Sequence, residues 1–338
     1  MAWQEIGFIA LEAAIKSILL AFVLLTAFAY MTFAERKVAA LMQVRSGPNR
    51  VGPWGLLQPA ADGVKALFKE EIVPAGADRV LFIAAPILVA VPALIIMAVI
   101  PLGPDMVLFG RPMRLAITDI NVGTLYVLSV ASVAVYGIVL AGWSSANKFS
   151  MMGGIRATAQ MVSYELALGL SFVGPIMLAG SLSLRDVVVA QQQSAWYVVL
   201  QPLGALLFFV AALAEVNRAP FDMPEAEQEL TAGYFTEYSG MKFSLFFMGE
   251  YIKMIAVSAL TATLFFGGYL GPMVDQYPLL GIVYLGGKTL AFLFLMIWIR
   301  LTLPRMRYDQ LMAFGWKRML PLALANVVIT AVALVLAQ

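Results

Sequence analysis

The chain has 338 residues, of which 62% are hydrophobic and only 12% charged, with a formal net charge of +2. Soluble domains carry about 25% charged residues, so a soluble globular chain and a disordered one are both excluded. With no Cys and no His, the chain can form no disulfide, Fe–S cluster, His-ligated haem or Cys/His zinc site. Ser-His-Asp and Cys-His catalysis are excluded as well. If the protein serves redox chemistry, the electrons are carried elsewhere.

A membrane helix needs about 20 mostly apolar residues. Eight runs of that kind are predicted, at 7–33, 81–103, 119–142, 160–180, 197–214, 244–267, 280–302 and 320–337. The fourth and fifth are the shortest readings. The expected fold is an all-α polytopic integral membrane protein, a single membrane domain over 1–338. The first run does not read as a cleavable signal, because Glu5 and Glu12 stand where a basic leader would be. Fifteen Lys and Arg fall in the polar segments 34–80, 143–159, 215–243 and 303–319, against Arg111, Arg114 and Arg185 on the other side. By the positive-inside rule those four segments are cytoplasmic and both termini face outside.

Two cytoplasmic segments carry most of the information. Segment 34–80 opens with Glu35-Arg36-Lys37 and runs through a Gly/Pro turn, GPNRVGP. Between Leu56 and Glu71, apolar residues recur at helical spacing while Asp62, Lys65 and Lys69 share another face. This predicts an amphipathic interfacial helix, either a surface anchor or a wall over an opening in the bilayer. Segment 215–243 begins AEVNRAPFDMPEAEQEL, with five carboxylates from Glu215 to Glu229 against Arg218 alone. Such a loop is commonly just solvated. Here Pro220-Phe221 and Met223-Pro224 stiffen it and give it apolar anchors.

Glu165, Glu215 and Glu250 fall in or at the margin of apolar runs. A charge at a bilayer-spanning helix centre costs roughly 2.5–3.5 kcal/mol on insertion scales, so such residues face a bundle interior or water. A plain ion pair explains Glu250 if Lys253, one turn on, is its partner. Glu165 has no local partner and is the stronger candidate for proton handling. Lys16, Lys253 and Lys288 are the bases at membrane depth, and Lys16 has Glu12 at spacing i, i+4.

The segments QVRSGPNRVGPWGLLQPAADGVKALFKEE, GWSSANKF, RATAQMVSYE, AEVNRAPFDMPEAEQEL, PRMRYDQLM and GWKRMLPL together resemble the quinone-channel membrane subunits of proton-pumping NADH:quinone oxidoreductase, respiratory complex I. The resemblance covers nearly the whole chain. It implies a subunit without a redox centre, with quinone as substrate and with Fe–S clusters, FMN and NADH held by partner subunits. It also implies peripheral Fe–S and quinone-site subunits, small membrane subunits and lipids as partners, no nucleic acid, and a place in the bacterial cytoplasmic membrane. By motif, Arg36, Arg45, Arg50, Asp62, Lys65, Arg218 and Phe221 belong to the quinone chamber and its opening to the bilayer. Glu165, Glu215, Glu225, Glu227 and Glu250 belong to an acidic chain that couples quinone reduction to proton translocation. Many relatives have a further carboxylate just before a VYG sequence; here Ala131, Ser132, Val133 and Ala134 precede Val135-Tyr136-Gly137. Two other readings stand beside this one: the related membrane subunit of an energy-converting hydrogenase, and a stand-alone proton-coupled transporter.

Overall fold

In a hydrocarbon medium every backbone N–H and C=O must be bonded within the chain, and an apolar run meets that condition as a helix. A computed structural model of the protein describes residues 3–108, 111–223 and 233–337. Its helices are α1 (Trp3–Met42), α2 (Gln58–Phe68), α3 (Arg79–Ile96), α4 (Gly123–Ser144), α5 (Lys148–Ala179), α6 (Leu184–Gln193), α7 (Tyr197–Leu200), α8 (Pro202–Glu215), α9 (Gly240–Phe265), α10 (Leu280–Thr302), α11 (Tyr308–Phe314) and α12 (Leu320–Ala337). A two-stranded hairpin, Met106–Leu108 with Arg111–Met113, is the only sheet among the described residues. The fold is all-α, as expected.

Seven helical stretches among the described residues are long and apolar enough to cross a membrane. The fifth expected span, 197–214, differs: Gln201 and Pro202 divide it into a four-residue turn and the 14-residue α8. At 1.5 Å per residue α8 is about 21 Å long, shorter than the roughly 30 Å hydrocarbon core. Three helices extend into segments expected to be loops. α1 continues through Glu35 and Arg36 to Met42. α5 begins at Lys148, where the Asn147 side chain accepts from Phe149 N at 3.0 Å and so caps the helix. The last span runs from Tyr308 through a π-helical turn, Gly315–Met319, into α12.

α9 is the centre of the bundle, with every residue from Tyr251 to Phe265 buried. Its Ala256, Ser258, Ala259, Thr261, Ala262 and Thr263 are small, which lets neighbouring helices come close. A Cβ on Gly249 of α9 would lie 2.8 Å from Val89 Cγ1, and one on Gly137 of α4 would lie 2.6 Å from Val89 Cγ2. The two glycines thus let α9 and α4 both close on α3 at Val89, and Gly249 fixes the approach of its neighbour Glu250. α1 lies at the rim and is mostly exposed. Of its buried residues, Leu24, Met31, Glu35 and Ala39 form one stripe, and Ala40 is buried beside it. Lys288 of α10 donates to the carbonyls of Phe266, Gly268 and Leu270 at 2.7, 2.8 and 2.9 Å, so it ties down the turn that follows α9.

Candidate functional site

The first cluster forms where α1, the turn after α8, α9 and α10 meet. Glu35 of α1 accepts from Arg218 Nη1 at 3.3 Å and from the Tyr251 hydroxyl at 2.6 Å, and it also pairs with Arg300 of α10. Arg218 Nε lies 2.9 Å from Glu250 Oε1, and its guanidinium stacks 4.3 Å from the Tyr251 ring centroid. Arg218 is only 3% exposed. Burial works against its charge, but Glu250, Tyr251 and Glu35 outweigh it and hold the guanidinium pKa above its ordinary value.

The second cluster lies deeper. Glu215, the last residue of α8, accepts from Lys253 Nζ at 3.1 Å, and both are nearly sealed from solvent. Glu215 Oε2 has no hydrogen-bond partner among the described residues. Glu215 and Lys253 are the polar members of a cavity of about 30 Å³ whose wall includes Leu128, Ala131, Leu168 and Phe172, a volume sufficient for water. The third cluster adjoins that wall. The single hydroxyl proton of Ser132 on α4 has two acceptors within reach, Glu165 of α5 and Leu128 O at 3.0 Å. Ser132 is one turn from Leu128, and Glu165 is one turn from Leu168.

The turn carrying Glu215 and Arg218 is held firmly. Asn217 adopts a left-handed φ of 54°. Phe221 is buried against Tyr164 and Phe314, with centroids 5.5 and 6.2 Å away. Tyr164 in turn donates to Leu311 O at 2.9 Å, just before the π-helical turn.

These positions revise one expectation. Glu250 does not pair with Lys253; it meets Arg218, while Lys253 turns to Glu215. Residues three apart on α9 therefore serve two different acid–base pairs. Glu165 has no partner nearby in sequence, as expected; it meets Ser132, 33 residues away on α4. Glu35, Tyr251 and Arg300 were not singled out by the sequence. The cost of placing Arg300 at the end of an apolar run was the signal available for it.

Among the remaining candidates, Arg36 and Asp62 meet at 2.7 Å, and Gln58 Nε2 also donates to Asp62 at 2.9 Å, linking α1 to α2. Arg45, Arg50 and Lys65 are exposed. Arg45 Nε donates to Gln43 at 2.7 Å. Trp54, Leu57, Val64, Leu67 and Phe68 are exposed as well, so α2 and the segment before it present apolar and basic side chains outward, in keeping with an interfacial helix. Arg218 and Phe221, expected at the chamber border, are buried inside the bundle. Glu225 and Glu227 lie outside the described residues.

A helical membrane-spanning fold with ion pairs strung through its interior defines an integral membrane protein built around buried protonatable groups. A family model described as NADH dehydrogenase matches residues 15–331. An H-type subunit of NADH-quinone oxidoreductase from Geobacter metallireducens is 52% identical over 325 residues, 95% of this chain and 97% of its own. The H-type subunit of the same enzyme from Thermomicrobium roseum is 53% identical over 343 residues, 98% of this chain and 97% of its own. The chain belongs to this family of NADH-quinone oxidoreductase membrane subunits.

Proposed function

We propose that the protein is the membrane subunit of an NADH-quinone oxidoreductase that borders the quinone chamber and passes the effect of quinone reduction to buried protonatable groups. One observation carries this reading. Glu35, Arg218 and Glu250, then Glu215 and Lys253, then Glu165 and Ser132 follow one another across α1, α9, α8, α5 and α4. Ion pairs this deep are weak contributors to stability, because desolvation offsets their attraction. A series of them in one bundle is better explained by proton or charge movement.

Electrons reach quinone from a cluster in a neighbouring subunit, and the reduction takes up two protons and transiently places negative charge at the head group. In a low-dielectric interior that charge acts strongly on nearby carboxylates. The acidic loop from Asp222 through Glu225 and Glu227 is the expected receiver, and the turn from Glu215 to Arg218 the next step. Coupled carboxylates then titrate as a set. Arg36 with Asp62, and the exposed Lys65, Arg45 and Arg50, would guide the quinone head where α2 lies on the membrane surface, while the apolar side chains of α2 accept its tail. The names of the relatives favour quinone over the hydrogenase reading. The inner membrane, cytoplasmic basic segments and periplasmic termini complete the proposal.

The test is Glu215→Gln in the assembled complex. NADH oxidation by ferricyanide, which bypasses the chain, is the control. Quinone reduction and proton pumping are expected to fall together by roughly 10²-fold, the order seen when a proton-transfer group is removed. Full coupled turnover would remove the acidic series from the mechanism.

A further inference from the structure

One uncharged side chain touches the turn that carries Glu215 and Arg218 at three points. Gln160 is completely buried on α5. Its Nε2 lies 2.9 Å from Ala214 O, 3.1 Å from Asn217 Oδ1 and 2.6 Å from Phe221 O. A carboxamide nitrogen has two N–H bonds, so three acceptors share them. The same crowding decides the amide's orientation: with Oε1 in that place, oxygen would face the two backbone carbonyls. The acceptors bracket both charged residues, one just before Glu215, one between Glu215 and Arg218, and one three places after Arg218.

The turn has work for such a fixing point. Two of its own backbone bonds are long, Asn217 N to Ala214 O at 3.2 Å and Arg218 N to Leu213 O at 3.3 Å, and these two flank the stretch between the charged residues. Val216 N to Ala212 O at 3.0 Å and Phe221 N to Arg218 O at 2.9 Å are of ordinary length. Yet it must deliver two opposite charges to two sites at once. Glu215 and Arg218 are three residues apart, and so are Lys253 and Glu250, with polarity reversed. A small rotation of the turn would break both pairs and leave buried charges unmatched. Phe221 anchors the far end of the turn against Tyr164 and Phe314, while beside Glu215 the buried Ala214 and Val216 are small, so the polar contacts of Gln160 act where the packed side chains have least shape.

We propose that Gln160 is a positioning residue for the coupling step. Its carboxamide holds the 214–221 turn so that Glu215 meets Lys253 while Arg218 meets Glu250, and it ties that geometry to α5, the helix that carries Glu165. The proposal rests on the reading that these pairs couple quinone reduction to proton movement. Gln160 itself takes up no proton.

Two variants of the assembled complex test it. Gln160→Met keeps a similar length and volume but donates nothing. Gln160→Glu can donate only while its carboxyl is protonated; once ionised, it sets a carboxylate against the acceptor oxygens. The charged residues of α5 (Lys148, Arg156 and Glu165) and of the turn (Glu215, Arg218 and Asp222) are unchanged in both. In Gln160→Met, ferricyanide-linked NADH oxidation should stay at the wild-type level while quinone reduction and pumping fall roughly ten- to hundredfold, as expected of a small misplacement. In Gln160→Glu, quinone-linked activity relative to wild type should recover as the pH is lowered from about 8 to about 6, since burial favours the neutral acid. Wild-type activity and pH profile in both variants would overturn the proposal. So would an equal, pH-independent loss in both, or failure of both to assemble, either of which makes Gln160 a packing residue only. Glu215→Gln, measured alongside, separates the two ideas. If it is fully coupled, the underlying reading fails; if it is impaired while the Gln160 variants are normal, the positioning role alone fails.

Discussion

Glu215 and Lys253 show how a residue's neighbours set the consequence of changing it. Removing one partner of a buried pair leaves the other charge uncompensated, which costs about 3–5 kcal/mol, whereas replacing both with neutral groups is often nearly neutral. Lys253→Met is therefore expected to lower the thermal unfolding midpoint of the detergent-solubilised complex more than Lys253→Met combined with Glu215→Gln. A double-mutant cycle on those midpoints measures the coupling. Ser132 is a milder case. Ser132→Ala removes the hydroxyl that faces Glu165, and hydrogen bonds to charged groups are worth about 1.5–3 kcal/mol. Quinone-linked turnover should fall in Ser132→Ala and be largely kept in Ser132→Thr, which retains a hydroxyl. Equal rates in wild type and Ser132→Ala would show that the hydroxyl plays no part.

At the scale of helices, the contact of Gly249 and Gly137 with Val89 is the point where a small change moves a whole element. Gly249→Ala places a methyl 2.8 Å from Val89 Cγ1 and 3.1 Å from Val89 O, and overpacking of this kind costs about 1–3 kcal/mol. Adding Val89→Ala should relieve the side-chain clash but not the backbone one, so recovery in the yield of folded complex is expected to be partial. The helices themselves were legible in the sequence, because sustained hydropathy has no other stable outcome in lipid. Their ends were not. Residues 34–42, 148–159 and 308–319 are helical in the structure, but two or three charged residues in each interrupt the apolar run, and hydropathy reports contact with oil rather than backbone conformation. Ala34, Glu35, Arg36, Lys37, Ala39, Ala40 and Leu41 are good helix formers, and that was the signal for the first extension. The candidate site divides in the same way. Glu165, Glu215 and Glu250 stood out as acids in apolar runs. Their partners did not, since Glu35 and Arg218 lie 183 positions apart and Glu35 and Arg300 lie 265 apart. Local spacing even suggested Lys253 for Glu250, a pairing that tertiary structure replaces.

For the whole molecule, the lack of cysteine gives a clean test of orientation. Ser46 lies in an exposed turn on the basic side, and Gln276 is exposed between α9 and α10. In intact cells a membrane-impermeant maleimide is expected to label Gln276→Cys and not Ser46→Cys, with the pattern reversed in inverted vesicles. Labelling of Ser46→Cys in intact cells would invert the assigned topology. α1 is held by polar contacts toward both of its ends. Along most of its length it faces outward, and its N-terminal half is tied by Lys16, which pairs with Glu12 on the same helix and donates across to Arg114 O at 2.8 Å. At its inner end Glu35 is grasped by Arg218, Arg300 and Tyr251. The helix is thus moored at two points, like a boat alongside a quay. If the negative charge of Glu35 were extinguished, one mooring line would slacken, and a forty-residue rod could swing on the other while the rest of the hull stayed still.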